Sequence, residues 1–167
     1  MLIRPSTEAD IDTIAEIYAH HVLHGTASFE TEPPDTAEIA RRRSDILSRG
    51  WPYLVAEDSG LIAGYAYAGP YRPRPAYRFS VEDSVYIHAS RAGRGTGSLL
   101  LERLIALSEE AGARQMIAII GDSANVASVR LHEKFGFRHV GVLRCVGYKF
   151  DKWLDTVIMQ RPLGLPT

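Results

Sequence analysis

Cysteine is nearly absent: Cys145 is the only one in 167 residues, so the chain cannot close a disulfide on itself. That excludes a disulfide-stapled secreted scaffold and points to a reducing, cytoplasmic setting. Long apolar runs are missing too. Nothing approaches the ~18 consecutive apolar residues of a membrane helix, and the first ten residues, "MLIRPSTEAD", lack the apolar core of a secretory leader. No membrane partner is expected. Charge of either sign is not in excess, since 19 Lys and Arg oppose 20 Asp and Glu for a net of −1. The chain therefore has no overall basic field for nucleic acid, and electrostatic binding must come from local clusters. Repeats, low-complexity stretches and linkers are absent as well.

What is present is an ordinary globular composition, 46% hydrophobic and 23% charged. The length suits one domain spanning residues 1–167. "LIRP" reads as a short strand stopped by proline. Thr7 and Asp10 form a weak capping box, and Ile11, Ile14, Ala15, Tyr18 and Val22 then recur at helical spacing to about Val22. Asp35 and Glu38 open a second helix carrying Ile39, Ile46 and Leu47 and ending at Gly50. "YLVAE", "DSG" and "LIAGYAY" make a hairpin, followed by the proline- and arginine-rich connection "AGPYRPRPAYRFSVE" and a strand, "DSVYI". A third helix places Leu100, Leu104, Leu107 and Ala111 on one face and stops at Gly112. "MIAII" reads as a strand buried on both faces. A helix over about Ala124–Phe135 ends at Gly136, and "HVGVLRCVG" and "DTVIMQR" pair across "YKFDKW". The order β-α-α-β-β-β-α-β-α-β-β predicts an α/β (α+β) fold, a mixed sheet flanked by helices.

Between the sixth element and the third helix lies "HASRAGRGTGSLLLERL", three glycines in five residues at a helix mouth. A P-loop is excluded, because Gly97 is followed by Ser98 and no lysine. A dinucleotide fingerprint fits poorly, because Leu100 stands where its third glycine belongs and too little chain follows Asp122 for a second half. A third reading survives both objections: amides around Gly93–Gly97 form a nest for a diphosphate, with Arg91 and Arg94 adding charge.

With that loop the chain resembles the GNAT superfamily of acyl-CoA-dependent N-acetyltransferases, whose loop Gln/Arg-x-x-Gly-x-Gly/Ala maps onto Ala92-Gly93-Arg94-Gly95-Thr96-Gly97. Ala92 departs from the family residue, and Arg91 is the available substitute. "NVASVRLHEKFGF" is similar to a second motif of that superfamily. "FETEP", "AGPYRPRPAYRFSVEDSVYI", "SVRLHEKFGF" and "GVLRCVGYKFDKWLD" resemble the phosphinothricin and methionine-sulfoximine N-acetyltransferases over nearly the whole chain. The resemblance implies a mostly antiparallel sheet of about seven strands with about four helices, acetyl-CoA as cosubstrate, no metal, a homodimer and a small amino-acid-like acceptor. It puts cofactor binding on Val85, Tyr86, Ile87, Arg91, Gly93, Arg94, Gly95, Thr96, Gly97, Ser98, Asn125 and Ser128.

The same resemblance assigns Glu82, spaced Tyr-x-x-x-x-Glu from Tyr77, as the base that frees the α-amino group of its proton. On the residues alone, neighbouring Asp83 or a mere surface carboxylate is equally open. His132 stands where many relatives carry a proton-donating tyrosine, with Tyr86 an alternative donor. Arg72, Arg74 and Tyr77 offer donors for an acceptor's carboxylate and side-chain oxygens, and Phe29 an apolar wall. Lys149, Trp153 and Asp155 also match that family, and Trp153 reads as packing at a subunit contact. His20, His21 and His24 read as surface histidines, no carboxylate or cysteine completing a metal set. Cys145 has no evident base partner, so direct attack rather than a covalent intermediate is expected. Another amine acceptor, or a non-catalytic acyl-CoA sensor, is the competing expectation.

Overall fold

Alternation in the strands decides the architecture. Leu54, Ala56, Ala66 and Ala68 are buried in one core, while Tyr53, Val55 and Tyr65 are buried in a second. Odd and even positions of one sheet thus feed two hydrophobic layers, small residues on one face and tyrosines on the other. The computed structural model describes residues 1–164.

Seven strands, β1 (Leu2–Pro5), β2 (Tyr53–Asp58), β3 (Leu61–Pro70), β4 (Ser80–Ile87), β5 (Gln115–Gly121), β6 (Arg138–Lys149) and β7 (Lys152–Pro162), form one sheet in the order β1-β2-β3-β4-β5-β7-β6. Every neighbouring pair is antiparallel except β4 and β5. Helices α1 (Ile11–His24) and α2 (Thr36–Ser48) cover the tyrosine face. Helix α3 (Thr96–Glu110) covers the other with Leu100, Leu101, Leu104 and Ile105, each leucine completely buried and contributing about 2 kcal/mol. Helix α4 (Val126–Lys134) leans Val129 and Leu131 on the same layer.

One irregularity positions the site. Strands β4 and β5 pair from Ser80–Gln115 to Asp83–Ala118 and then separate. Both continue: Ser84–Ile87 stays paired to β3, and Ile119–Gly121 to β7. The sheet therefore opens in its middle, and backbone groups along the opening have no strand partner across it.

Several expectations need correction. The strand expected to begin at Asp83 begins at Ser80, so Glu82 lies inside it. The irregular connection shrinks accordingly to residues 71–79, with a short 3₁₀ turn at Pro75–Tyr77. Thr7 and Asp10 close a separate 3₁₀ turn ahead of α1, where Arg4 also grips the Asp10 carboxylate. Leu47 is 40% exposed, one residue round α2 from the buried Ile46 and so off the packed face, and Ala111 is solvent-facing just past the end of α3. Ile119, expected to be buried on β5, is exposed beside the opening. The final hairpin turns on Phe150 and Asp151 alone, both with left-handed φ, leaving Lys149 and Lys152 paired.

Candidate active site

The opening between β4 and β5 leads into a cavity of about 600 Å³. Adjacent residues of β4 point to opposite faces, so Asp83, Val85 and Ile87 look toward α3 and α4, while Glu82, Ser84 and Tyr86 look toward α1 and α2. His88 donates its N–H to Ala63 across β3. Antiparallel alternation from that bond turns the amides of Val85 and Ile87 away from β3, into the opening.

At one mouth sits the glycine loop. Gly95 caps α3 at φ +79°, a left-handed conformation that carries a Cβ only with strain. No side chain caps this end, so the first amides of α3 stay available for an anion. Gly97 lets α3 approach α4, since a Cβ there would lie 3.3 Å from Leu131. Gly93, Gly95, Gly97, Ser98, Asn125 and Ser128 all line the cavity with Val85, Tyr86 and Ile87. Asn125 and Ser128 have a local task as well: the Asn125 side chain accepts the Ser128 N–H at 3.2 Å and caps α4.

Other anticipated members do not join them. Arg91 is tied at 3.0 Å to Asp58, the last residue of β2, and does not line the cavity. Thr96 is completely buried and Arg94 exposed, and neither lines the cavity.

His132 is buried and pinned at both ring nitrogens. Nδ1 donates to the Ser128 carbonyl at 2.7 Å, and Nε2 meets Asp83 Oδ2 at 2.9 Å. Burial pulls its pKa down, but the hydrogen bond and charge of Asp83 outweigh that and leave it above the ordinary histidine value. The second Asp83 oxygen, Oδ1, is buried without a hydrogen-bond partner, on a residue that lines the cavity. An amide or thiol donor entering the cavity would satisfy it.

Glu82, on the other face, differs from Asp83 in every respect. It is half-buried, and burial, with the nearby Asp83 charge, pushes its pKa up to about 7 despite the opposing pull of Arg72. The two carboxylates that the sequence could not separate are thus distinguished by side of the sheet. Arg72, Arg74 and Tyr77 are all exposed on the 71–79 loop, Tyr77 edge-on to Tyr71. Phe29 rests on β5 and β6, where only the glycines Gly121 and Gly147 leave room for its ring.

Three cavity residues escaped the sequence reading. His21, expected at the surface, is half-buried: its Nε2 donates to the Ile87 carbonyl at 2.8 Å, and burial lowers its pKa. Its spacing from Ile14, Ile17 and Tyr18 on the buried stripe is the signal that could have placed it. His20 and His24 are exposed. Arg130 and Lys134 flank the glycine mouth, Lys134 reaching Ser98 Oγ at 3.3 Å. Their i, i+4 spacing on α4 marks them as one basic edge.

The family model for the acetyltransferase (GNAT) domain matches residues 3–158. A phosphinothricin N-acetyltransferase of Alcaligenes faecalis is 54% identical over 97% of this chain and 82% of its own length. An L-methionine sulfoximine/L-methionine sulfone acetyltransferase of Salmonella typhimurium is 40% identical over 98% and 95%. A crystal structure of a phosphinothricin acetyltransferase from Sinorhizobium meliloti, in complex with acetyl-CoA, superposes with a TM-score of 0.95 at 46% identity, covering 98% of this chain and 88% of that one.

Proposed function

The chain belongs to the GNAT acetyltransferase family, and from that premise we propose that it acetylates the α-amino group of a small amino-acid analogue such as phosphinothricin, L-methionine sulfoximine or L-methionine sulfone. The observation that carries this reading is a half-buried carboxylate with a raised pKa, Glu82, on the strand whose far half borders an internal opening lined by amides and glycines.

Acetyl-CoA fits the residues present and supplies an activated thioester. The amides of Gly93, Gly95, Gly97 and Ser98 would hold its diphosphate, with Arg130 and Lys134 adding positive charge at the rim. Val85 and Ile87 turn N–H groups toward the opening, where they can stabilise negative charge on a carbonyl oxygen as fixed dipoles. An α-ammonium is mostly protonated at neutral pH, so Glu82 accepts its proton, directly or through a water. A carboxylate poised near 7 is matched to that task, as an ordinary one near 4.3 is not. His132 holds the proton that returns to the departing thiolate, and must part Nε2 from Asp83 to deliver it. Tyr86 lines the same cavity with its hydroxyl kept protonated by burial, and is the competing donor.

Arg72 and Arg74 meet the acceptor's carboxylate and oxygen-bearing end, with Tyr77 and Phe29 completing that side. This reading explains why the loop is basic: a polyamine acceptor would want carboxylates there. The protein acts as a homodimer through its last hairpin, where Val140, Leu143, Val146, Tyr148, Phe150 and Trp153 are each at least half exposed.

Thiol release from acetyl-CoA tests the assignment. Phosphinothricin, methionine sulfoximine and methionine sulfone should each exceed spermidine and a peptide amine by more than about 100-fold in kcat/KM. Turnover confined to spermidine or the peptide would refute the acceptor class, and release with none of the five would favour a sensor.

A further inference from the structure

Lys149 is a chemically expensive choice for its position. It is 5% exposed near the end of β6, and lysine is seldom buried so far without a carboxylate partner. The acidic group whose field reaches it, Glu30, already bonds the Arg42 guanidinium at 2.6 Å. Burial accordingly pulls the Lys149 pKa below the ordinary lysine value. A methionine would fill the same volume without desolvating an ammonium.

The ammonium instead serves backbone oxygens. Nζ donates to the Gly25 carbonyl and to the Ser28 carbonyl, each at 2.8 Å, and lies 5.1 Å from the centre of the Phe150 ring. Gly25 and Ser28 bracket the first turn of the chain after α1, which has no strand or helix to satisfy its carbonyls. The segment is fastened at other points: Tyr18 and Ser28 share a 2.8 Å hydroxyl bond, and Thr26 donates to Asp122 at 3.2 Å. Its middle residue, Ala27, lines the cavity directly. Its last, Phe29, settles on Gly121 and Gly147, where any larger residue would collide with the ring. Gly147 and Lys149 lie two apart on β6 and so present the same face to this segment.

We infer that Lys149 is a positioning residue for the acceptor side of the site: its buried ammonium fastens residues 25–29 to the ends of β5 and β6, and so fixes the cavity wall at Ala27 and the placement of the Phe29 ring. The inference rests on the acetyltransferase reading for its consequence in turnover, but not for its structural part. Lys149 touches no reacting atom. It acts through a segment whose displacement by an ångström would misplace the acceptor relative to Glu82.

The test is Lys149→Met, with Lys149→Gln, which keeps a donor, as the milder variant should Met fail to fold. The acceptor KM should rise about ten-fold in Lys149→Met and less in Lys149→Gln, while the Kd of acetyl-CoA by calorimetry stays within about two-fold. Amide hydrogen exchange at residues 25–30 should quicken about ten-fold with α3 unchanged. An unaltered acceptor KM with unaltered exchange would overturn the inference. So would parallel losses of acetyl-CoA affinity, acceptor affinity and thermal stability, the pattern of a merely structural residue. If the wild-type protein acetylates none of the proposed acceptors, the functional reading fails, and the exchange arm still decides the role of Lys149.

Discussion

At the scale of single residues, Glu82 carries the sharpest consequence, because the property proposed to make it useful also makes it costly. Its folded pKa, about 7, lies above the ordinary glutamate value. The folded state therefore binds the proton more tightly than the unfolded chain, and stability falls as pH rises from about 4.5 to 7, remaining lower above that. Allowing for the solvent that still reaches the carboxylate, its charge at pH 8 costs roughly 2 kcal/mol. Glu82→Gln should melt about 5 °C higher than wild type at pH 8 and no higher at pH 4.5, by calorimetry at both values. In the same variant kcat should fall by about 10²–10⁴-fold, and the rise of kcat/KM with pH around 7 should vanish. A variant that keeps its turnover, or gains no stability at pH 8, would remove Glu82 from the proposed role. Asp83, one residue away, was indistinguishable from it in the sequence. Only the alternation of a strand that starts earlier than "DSVYI" suggests could separate them.

Among the elements, the segment from β4 through the glycine loop to α3 was the most legible, because backbone conformation there is written in residue type. Glycine at φ +79° before an uncapped helix is a conformational demand that other residues meet poorly. Gly95→Ala should raise the Kd of acetyl-CoA about ten-fold, since relieving 1–2 kcal/mol of left-handed strain displaces the amides proposed to hold the diphosphate. Isothermal titration reads this directly, and an unchanged Kd would mean that those amides hold nothing. Side-chain contributions to the same mouth were less legible. Arg91 looked well placed in the linear order, but Asp58 on a distant hairpin claims it, while Arg130 and Lys134 come from an element thirty residues downstream. Contacts between elements are set by packing, which a single sequence does not display. The separation of β4 from β5 was invisible for the same reason: neither strand is broken, and only their mutual register ends.

For the molecule as a whole, the seven strands and four helices follow the predicted order, because each carries its own periodicity and punctuation. Where the chain meets other molecules is harder to read. The aromatic tip of the β6–β7 hairpin, with Trp153 at 66% exposure, is the surface proposed to join two copies of this 18.5 kDa chain. Trp153→Glu should halve the mass seen by light scattering, and a mass already corresponding to one chain in the wild type would dismiss the interface. The opening inside the sheet has a different logic. Exposed strand edges invite other proteins to add a strand, which is why folds bend, charge or cover them. Here the unpaired amides lie in the interior, along a cavity that extends from the glycines of one face to Tyr86 of the other. The hydrogen-bonding capacity that would elsewhere recruit a neighbouring strand is thereby kept for whatever occupies the cavity.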